Sequence, residues 1–135
     1  MSAPTSPRAV VDAYVAAMNA GPPGAGALAE LFAEDAVYAE PFSALGRSQT
    51  THAGIVAIRA FIRESAGNKP PDMRIALDRV DVDGERIRAE WTCTAELFGG
   101  PMRGYDVYII RAGKIARLDT TLTERPPLFA AGEDA

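Results

Sequence analysis

The stretch Ile87-Arg-Ala-Glu-Trp-Thr-Cys-Thr-Ala-Glu-Leu97 decides the fold of this chain. Every second residue in it is apolar, and the residues between are charged or threonine. Successive side chains of a β-strand point to opposite faces, so this alternation predicts one long strand with a buried face and an exposed face. The sheet that contains this strand must therefore be covered on one side by other parts of the chain.

Turn signals divide the sequence on either side of this stretch into further strands. Two strands follow it, over residues 102–111 and 114–123, and one precedes it. The preceding strand changes its apolar face near Arg79, which predicts a β-bulge. The turn signals between the strands are Asp83-Gly84, Gly99-Gly100-Pro101 and Ala112-Gly113.

The first half of the sequence has a helical period instead. Ser6 and Pro7 are suited to the N-cap and first position of a helix, whose apolar face recurs from Val10 to Met18. A second helix is predicted over residues 25–32, and a short strand over 37–40. After a polar loop over residues 44–50, Thr51 is predicted to cap a third helix.

Three helices followed by long antiparallel strands predict an α+β fold. Its N-terminal helices are expected to pack on a strongly curved, mostly antiparallel sheet, with a ligand cavity on the concave side. The length fits a single domain over residues 1–135, with an ordered core of about 7–123 and a flexible tail over 124–135. The outer face of the sheet is expected to be solvated or to form a homodimer.

Composition excludes several classes of function. The chain has 14 basic and 18 acidic residues, a balance that argues against a nucleic-acid partner. Its single cysteine, Cys93, and single histidine, His52, exclude an internal disulfide and the familiar multi-histidine metal sites. No stretch is apolar enough for a signal peptide or a membrane span, so a cytoplasmic protein with no membrane partner is expected.

Four segments, taken in order, resemble the ketosteroid isomerase-like and SnoaL-like branch of the nuclear-transport-factor-2-like superfamily. They are Tyr14-Val-Ala-Ala-Met-Asn-Ala-Gly21, Ala33-Glu-Asp-Ala-Val-Tyr-Ala-Glu-Pro-Phe42, residues 54–61, and Gly104-Tyr-Asp-Val-Tyr-Ile-Ile-Arg-Ala-Gly-Lys-Ile115. The resemblance implies a cone-shaped α+β barrel. It also implies relatives that include polyketide cyclases and limonene epoxide hydrolases, so it is less specific for the reaction than for the fold.

The resemblance implies roles for three residues. Glu40 matches the general base, Tyr14 the phenol donor, and Asp106 a protonated carboxylic acid donor to the oxyanion. Asp106 lies in an apolar strand, where burial raises the pKa of a carboxyl. The positions that hold supporting tyrosines in steroid isomerases correspond here to Phe32 and Ile62, which predicts a shorter hydrogen-bond network.

An apolar pocket is expected around these three residues. His52 lies outside it, in loop sequence, where a surface or capping role is expected. The pocket needs no metal and no cofactor, and it would accept a small apolar or carbonyl-containing molecule. The residues expected to line it are Val15, Met18, Phe32, Phe42, Phe61, Trp91, Met102, Tyr108 and Leu122.

Several functions remain open. The first is proton transfer on a ketone or enone, with Glu40 as the base. A polyketide cyclase-like or epoxide-opening enzyme is an alternative, and the latter would use Asp106 and Asp119 with Arg103 or Arg117. Counting along the strands places Asp119 and these arginines away from Asp106, which ranks epoxide opening lower. A non-catalytic domain that binds small molecules as a dimer is the third possibility.

Overall fold

Helices lie mostly in the N-terminal half and long strands in the C-terminal half of the computed structural model, which describes residues 6–130. None of the helices in this range is long and apolar enough to cross a membrane. The helices are α1 (Pro7–Asn19), α2 (Ala25–Glu30), α3 (Ile55–Ala66) and α4 (Pro127–Ala130). The strands are β1 (Phe32–Glu40), β2 (Thr50–Ala53), β3 (Arg74–Asp83), β4 (Arg86–Thr94), β5 (Met102–Arg111) and β6 (Lys114–Glu124).

The six strands form one curved sheet in the order β2-β1-β6-β5-β4-β3. Neighbouring strands are antiparallel except β1 and β6, which run parallel. The sheet does not close on itself, because β2 and β3 are separate edges. The predicted α+β class, with helices on a curved and mostly antiparallel sheet, is therefore confirmed.

Register shifts account for much of the curvature, since a bulge bends a strand and increases its twist. The β3–β4 pair shifts between Leu77 and Arg79, which confirms the bulge predicted near Arg79. The β5–β6 pair shifts twice, once next to Arg103 and once between Ile109 and Ile110. The sheet consequently bends around the helices and leaves a concave face for a cavity.

Helices α1, α2 and α3 bury apolar side chains against the sheet. Ser6 caps α1 as predicted, because its side chain accepts a hydrogen bond from the backbone N–H of Ala9. Below this cap α1 buries Val10, Val11 and Tyr14. Helix α3 likewise buries its apolar positions, Ile58, Ile62 and Ala66.

Two boundaries in the N-terminal half differ from the prediction. Helix α2 ends at Glu30, and Phe32 instead begins β1, where it lies opposite Ile115 of β6. Thr51 does not cap α3, since it belongs to β2 and lies opposite Ala39 of β1. Pairing with β1 makes a strand of a segment whose local sequence suggested a cap, and Gly54 at φ 87° turns the chain into α3.

The C-terminal half differs from the prediction mainly at strand ends. Strand β4 stops at Thr94, and a short 3₁₀ turn at Glu96–Phe98 follows where the alternation predicted continued strand. After β6 the chain forms α4, whose Phe129 is buried and makes an edge-to-face contact with Phe98. Residues 131–135, the end of the predicted flexible tail, lie outside the described residues.

The outer face of the sheet mixes apolar and charged side chains. Tyr105, Val107 and Ile109 of β5 are only half-buried there, although they lie in the middle of a six-stranded sheet. The guanidinium of Arg88 stacks on the Tyr105 ring, 4.2 Å from its centroid. A homodimer through this face stays a prediction.

Candidate active site

An apolar cavity of about 530 Å³ lies between the helices and the concave face of the sheet. Of the nine residues expected to line it, Tyr108 and Leu122 lie outside the lining. Tyr108 is fully buried behind the wall, against the edge of the Tyr14 ring, and Leu122 packs with Trp91 and Met102. The residues that do line the cavity as expected are Val15, Met18, Phe32, Phe42, Phe61, Trp91 and Met102.

Asp106 of β5 is the buried carboxyl of this cavity, and only 6% of its surface is exposed. The hydroxyl of Tyr108 donates to its Oδ2 at 2.9 Å, and the hydroxyl of Thr120 donates to its Oδ1 at 2.7 Å. Tyr108 lies two residues along the same strand, while Thr120 lies directly opposite on β6. Each carboxyl oxygen is thus held by one hydroxyl, which fixes the orientation of the group.

Burial raises the pKa of Asp106 from 3.8 to about 6. Hydrogen bonds from Thr120 and Tyr108, with a smaller contribution from the indole N–H of Trp91, oppose this rise because they stabilise the ionised form. The raised pKa agrees with the expectation from the apolar strand. A pKa of about 6 places the titration of this carboxyl close to neutral pH, so its protonated and its ionised forms are both accessible there.

The indole of Trp91 lies against this carboxyl because Gly104 has no side chain. Trp91 and Gly104 are opposite each other in the β4–β5 pair. A Cβ on Gly104 would lie 2.8 Å from the Trp91 ring and 2.2 Å from the carbonyl oxygen of Thr121. The Trp91 Nε1 is buried near the Asp106 carboxyl but outside hydrogen-bonding geometry with it, and no other acceptor among the described residues meets it.

Two tyrosines meet in the cavity wall near this carboxyl. The hydroxyl oxygens of Tyr14 on α1 and Tyr38 on β1 lie 3.5 Å apart, and both residues line the cavity. Burial raises the pKa of both phenols well above the usual value, so both stay protonated at neutral pH. Each phenol is therefore neutral and keeps the proton that it can donate in a hydrogen bond to a ligand oxygen.

The hydroxyl network is longer than the sequence predicted. Phe32 and Ile62 do line the cavity and carry no hydroxyl, but Tyr38 and Tyr108 supply phenols from two strands instead. Thr120 joins the Tyr38 phenol to the Asp106 carboxyl, because its hydroxyl donates to Asp106 and also contacts the Tyr38 hydroxyl. Alternation along β1 places Tyr38 on the same face as Glu40, so Tyr38 could have been identified from the sequence.

Glu40 is fully buried at the end of β1, yet it does not line the cavity. Its Oε2 accepts the backbone N–H groups of Phe42 at 2.8 Å and Ser43 at 3.1 Å. The Ser43 hydroxyl donates to Oε1. The chain turns back immediately after Pro41, so the carboxylate is bound by its own loop and lies behind the cavity wall.

His52 contacts the same carboxylate, contrary to the surface or capping role expected for it. Its Nε2 lies 3.4 Å from Glu40 Oε1, and its ring stacks on Phe61 with the centroids 4.3 Å apart. Strand β2 places it there, since His52 lies opposite Tyr38 in the β1–β2 pair. The sequence reading assigned this segment to a loop and therefore missed the contact.

The residues named for epoxide opening do not meet Asp106. Asp119 forms an ion pair with Arg117 at 2.8 Å, and both side chains are partly exposed. Arg103 is paired with Glu124, also at 2.8 Å and near the surface. Of these residues only Asp106 lines the cavity, so Asp119, Arg103 and Arg117 are not placed to act together with it.

Solved nuclear-transport-factor-2-like structures share this curved, open sheet with helices packed on it. The chain belongs to the SnoaL-like domain family, whose model matches residues 11–118. This confirms the family resemblance seen in the sequence. No curated protein matches the sequence significantly.

Solved structures of several proteins share the fold. A proposed ketosteroid isomerase from Kribbella flavida is 20% identical with a TM-score of 0.67, over 87% of this chain and 78% of that one. A proposed polyketide cyclase from Sinorhizobium meliloti is 24% identical with a TM-score of 0.67, over 83% and 93%. A nuclear-transport-factor-2-like protein of unknown function from Cytophaga hutchinsonii is 12% identical with a TM-score of 0.67, over 90% and 94%. At these identities the likeness shows the fold alone.

Proposed function

We propose that this protein is a cofactor-free enzyme that transfers a proton on a small apolar ketone or enone. The observation that carries the proposal is Asp106, a buried carboxyl on an apolar cavity with a pKa of about 6. A general base works best when its pKa lies near the operating pH. Isomerisation of an enone and aldol-type cyclisation both begin with loss of a proton beside a carbonyl, in keeping with the two named structural relatives.

In this mechanism Asp106 is the base and the phenols hold the oxygen. The Asp106 carboxylate removes a proton from the carbon beside the substrate carbonyl. The electron pair of that C–H bond forms a C=C bond, and the π pair of the C=O bond moves onto the oxygen. The Tyr14 hydroxyl, beside that of Tyr38, donates to the resulting enolate oxygen. Asp106 then returns the proton to the same carbon or to the far end of the dienolate, which completes exchange or isomerisation.

This assignment gives Asp106 the role that the sequence resemblance gives Glu40. Glu40 already accepts two backbone N–H groups and a hydroxyl, and Phe42 and Ser43 separate it from the cavity. These donors engage both oxygens of the Glu40 carboxylate, which leaves fewer lone pairs free to meet a substrate. Asp106 has two hydroxyl donors and faces the cavity, so its remaining lone pairs are directed toward a ligand.

Hydrogen–deuterium exchange tests the proposal without knowledge of the natural substrate. Cyclic ketones and β,γ-unsaturated enones in D₂O should exchange their α-hydrogens faster with the protein present, as measured by NMR. We expect Asp106→Asn to reduce this rate at least about a hundredfold, because an amide keeps the shape but cannot accept the proton. Glu40→Gln, the matched control, should retain the rate within about tenfold when assayed as folded protein.

The pH dependence separates the two possible roles of Asp106. If it is the base, the exchange rate rises as pH increases through about 6 and then levels off. If it is an oxyanion donor that needs its proton, the rate falls over the same range. A falling profile would contradict the assignment of Asp106 as the base. A wild-type rate no higher than that of Asp106→Asn would favour a binding domain instead.

A further inference from the structure

Lys69 is a half-buried cation in the wall of the main cavity. Its Nζ lies 3.2 Å from the sulfur of Met18, which is a weak hydrogen-bond acceptor. Within residues 6–130 no carboxylate forms a salt bridge with it, and Glu64, the acidic residue on the same rim, stays beyond ion-pair distance. Burial lowers the pKa of Lys69, as expected for an ammonium without a counter-charge.

A smaller cavity of about 200 Å³ adjoins the main one at this lysine. Met18, Lys69, Pro70 and Met73 line both cavities. The smaller cavity adds Arg74, whose guanidinium is held by the carbonyl oxygens of Met73 and Asn19. Two basic residues and no acidic residue line it, so its potential favours an anion.

We propose that Lys69 and Arg74 form the anion-binding end of the cavity, and that the ligand is an apolar carbonyl compound carrying a carboxylate. The carboxylate would lie at Lys69 and the carbonyl near Asp106 and Tyr14. The claim that this ligand is the substrate rests on the proposed function. The claim that the cavity binds it does not. Ionised Asp106 repels a second carboxylate, which fixes the orientation of such a ligand.

Strand β4 gives the spacing between the two ends. Trp91 lies beside Asp106, and Cys93 lies close enough to Lys69 to affect its pKa. These two side chains share one face of β4 and are two residues apart, which corresponds to roughly 7 Å along the strand. Trp91, Cys93 and the other side chains between them are largely apolar, so the body of the ligand should be hydrocarbon of at least that length.

The number of donors favours a carboxylate over a phosphate. Pro22, Pro70 and Pro71 line the smaller cavity, and proline has no N–H to donate. The side chain of Asn19 is already engaged by the backbone of Ile75 through both its oxygen and its nitrogen. Lys69 and Arg74 thus supply most of the available hydrogen bonds, which suits an anion with one charge and two oxygens.

Binding of eight-carbon probes tests this site. Trp91 is the single tryptophan of the sequence and lines the main cavity, so its fluorescence reports occupancy. At pH 7.5 octanoate should bind wild-type protein at least about tenfold more tightly than octan-1-ol, and Lys69→Met should remove that preference. Lys69→Arg, which keeps the charge, should retain most of it.

The matched control is Lys114→Met, because Lys114 is the only other lysine and bonds the Glu30 carbonyl far from the cavity. It makes the same change in net charge and should leave the preference unchanged. Equal binding of octanoate and octan-1-ol, or equal losses in the two methionine variants, would overturn the anion site. Tighter binding of octyl phosphate than of octanoate would overturn the carboxylate. These titrations need no turnover, so they can succeed or fail independently of the exchange assay.

Discussion

Thr120 lies directly opposite Asp106 in the β5–β6 pair and donates a hydrogen bond of 2.7 Å to it. A β-bulge determines which residue of β6 lies opposite Asp106. The turn at Ala112 and Gly113 pairs Arg111 with Lys114, and an unbroken register from there would place Asp119 opposite Asp106. The shift between Ile109 and Ile110 moves β6 by one residue, so a hydroxyl faces the carboxyl and Asp119 points outward.

Thr120→Val should raise the pKa of Asp106 further. The Thr120 hydroxyl stabilises the ionised carboxyl, and valine keeps the volume but not the donor. We expect the midpoint of the pH–rate profile to move upward by about one pH unit. Thr121→Val, one residue further along β6 and on its other face, is the matched control. An unchanged midpoint in Thr120→Val would contradict the role given to this hydrogen bond.

Asp106 should also make the stability of the protein depend on pH. Its pKa is about 6 when folded and 3.8 in the absence of burial, so the folded state binds this proton more tightly. Stability should therefore fall as pH rises from about 4 to 6 and then stay level, by about 3 kcal/mol in total. Urea unfolding of wild type and Asp106→Asn at pH 4.5, 5.5, 6.5 and 7.5 measures the difference.

The asparagine variant cannot ionise at this position, so its stability relative to wild type should increase between pH 4.5 and 6.5. Taking the difference between the two proteins cancels the other carboxyls, which titrate in both. A constant difference across this range would show that Asp106 has an ordinary pKa. The catalytic assignment would then lose the observation that carries it.

The sequence predicted the strands of the C-terminal half closely because their signals are local. Strand β5 begins at Met102 and ends at Arg111, as the alternation and the flanking turns predicted. The opposite case is β2, since Thr51 and His52 form a strand only by pairing with β1, and nothing in their own sequence requires it. The contact between His52 and Glu40 depends on that pairing and could not be predicted from the sequence.

The residues of the candidate site differ in the same way, since some were identified from the sequence and others are placed by contacts that the sequence does not reveal. The family resemblance indicated Asp106 and Tyr14, and the apolar strand around Asp106 supported its place in the site. Thr120 was missed because a bulge in the β5–β6 pair determines which residue of β6 lies opposite Asp106. The position of Glu40 depends on a side chain folding back onto its own loop, which a strand-end motif does not reveal.

Glu40→Gln should destabilise the protein more than it affects exchange. The buried carboxylate accepts the N–H groups of Phe42 and Ser43 and the Ser43 hydroxyl, and an amide offers only one acceptor oxygen. Loss of these charge-assisted bonds should cost about 1–3 kcal/mol in urea unfolding. Glu34→Gln, an exposed carboxylate in the same strand, is the control and should change stability by less than about 0.5 kcal/mol.

The outer face of the sheet should form a homodimer. Tyr105, Val107 and Ile109 are half-buried side chains in the centre of this face. Ile109→Glu would place an unpaired charge in such an interface and should convert a dimer into a monomer, as measured by light scattering after gel filtration. Val56→Glu, at a 79% exposed position on α3, is the matched control. A monomeric wild type at micromolar concentration would contradict the dimer.

Gly104→Ala should destabilise the protein through a single methyl group. The added Cβ would lie 2.2 Å from the Thr121 carbonyl oxygen and 2.8 Å from the Trp91 ring, so strand β6 or the indole must move. We expect a loss of about 1–3 kcal/mol in urea unfolding, with a shift in Trp91 fluorescence because the indole leaves Asp106. Gly26→Ala is the matched control, since a Cβ there meets nothing within 4 Å and alanine favours the helix. It should be neutral or stabilising, and equal effects of the two substitutions would show that Trp91 does not depend on the gap at Gly104.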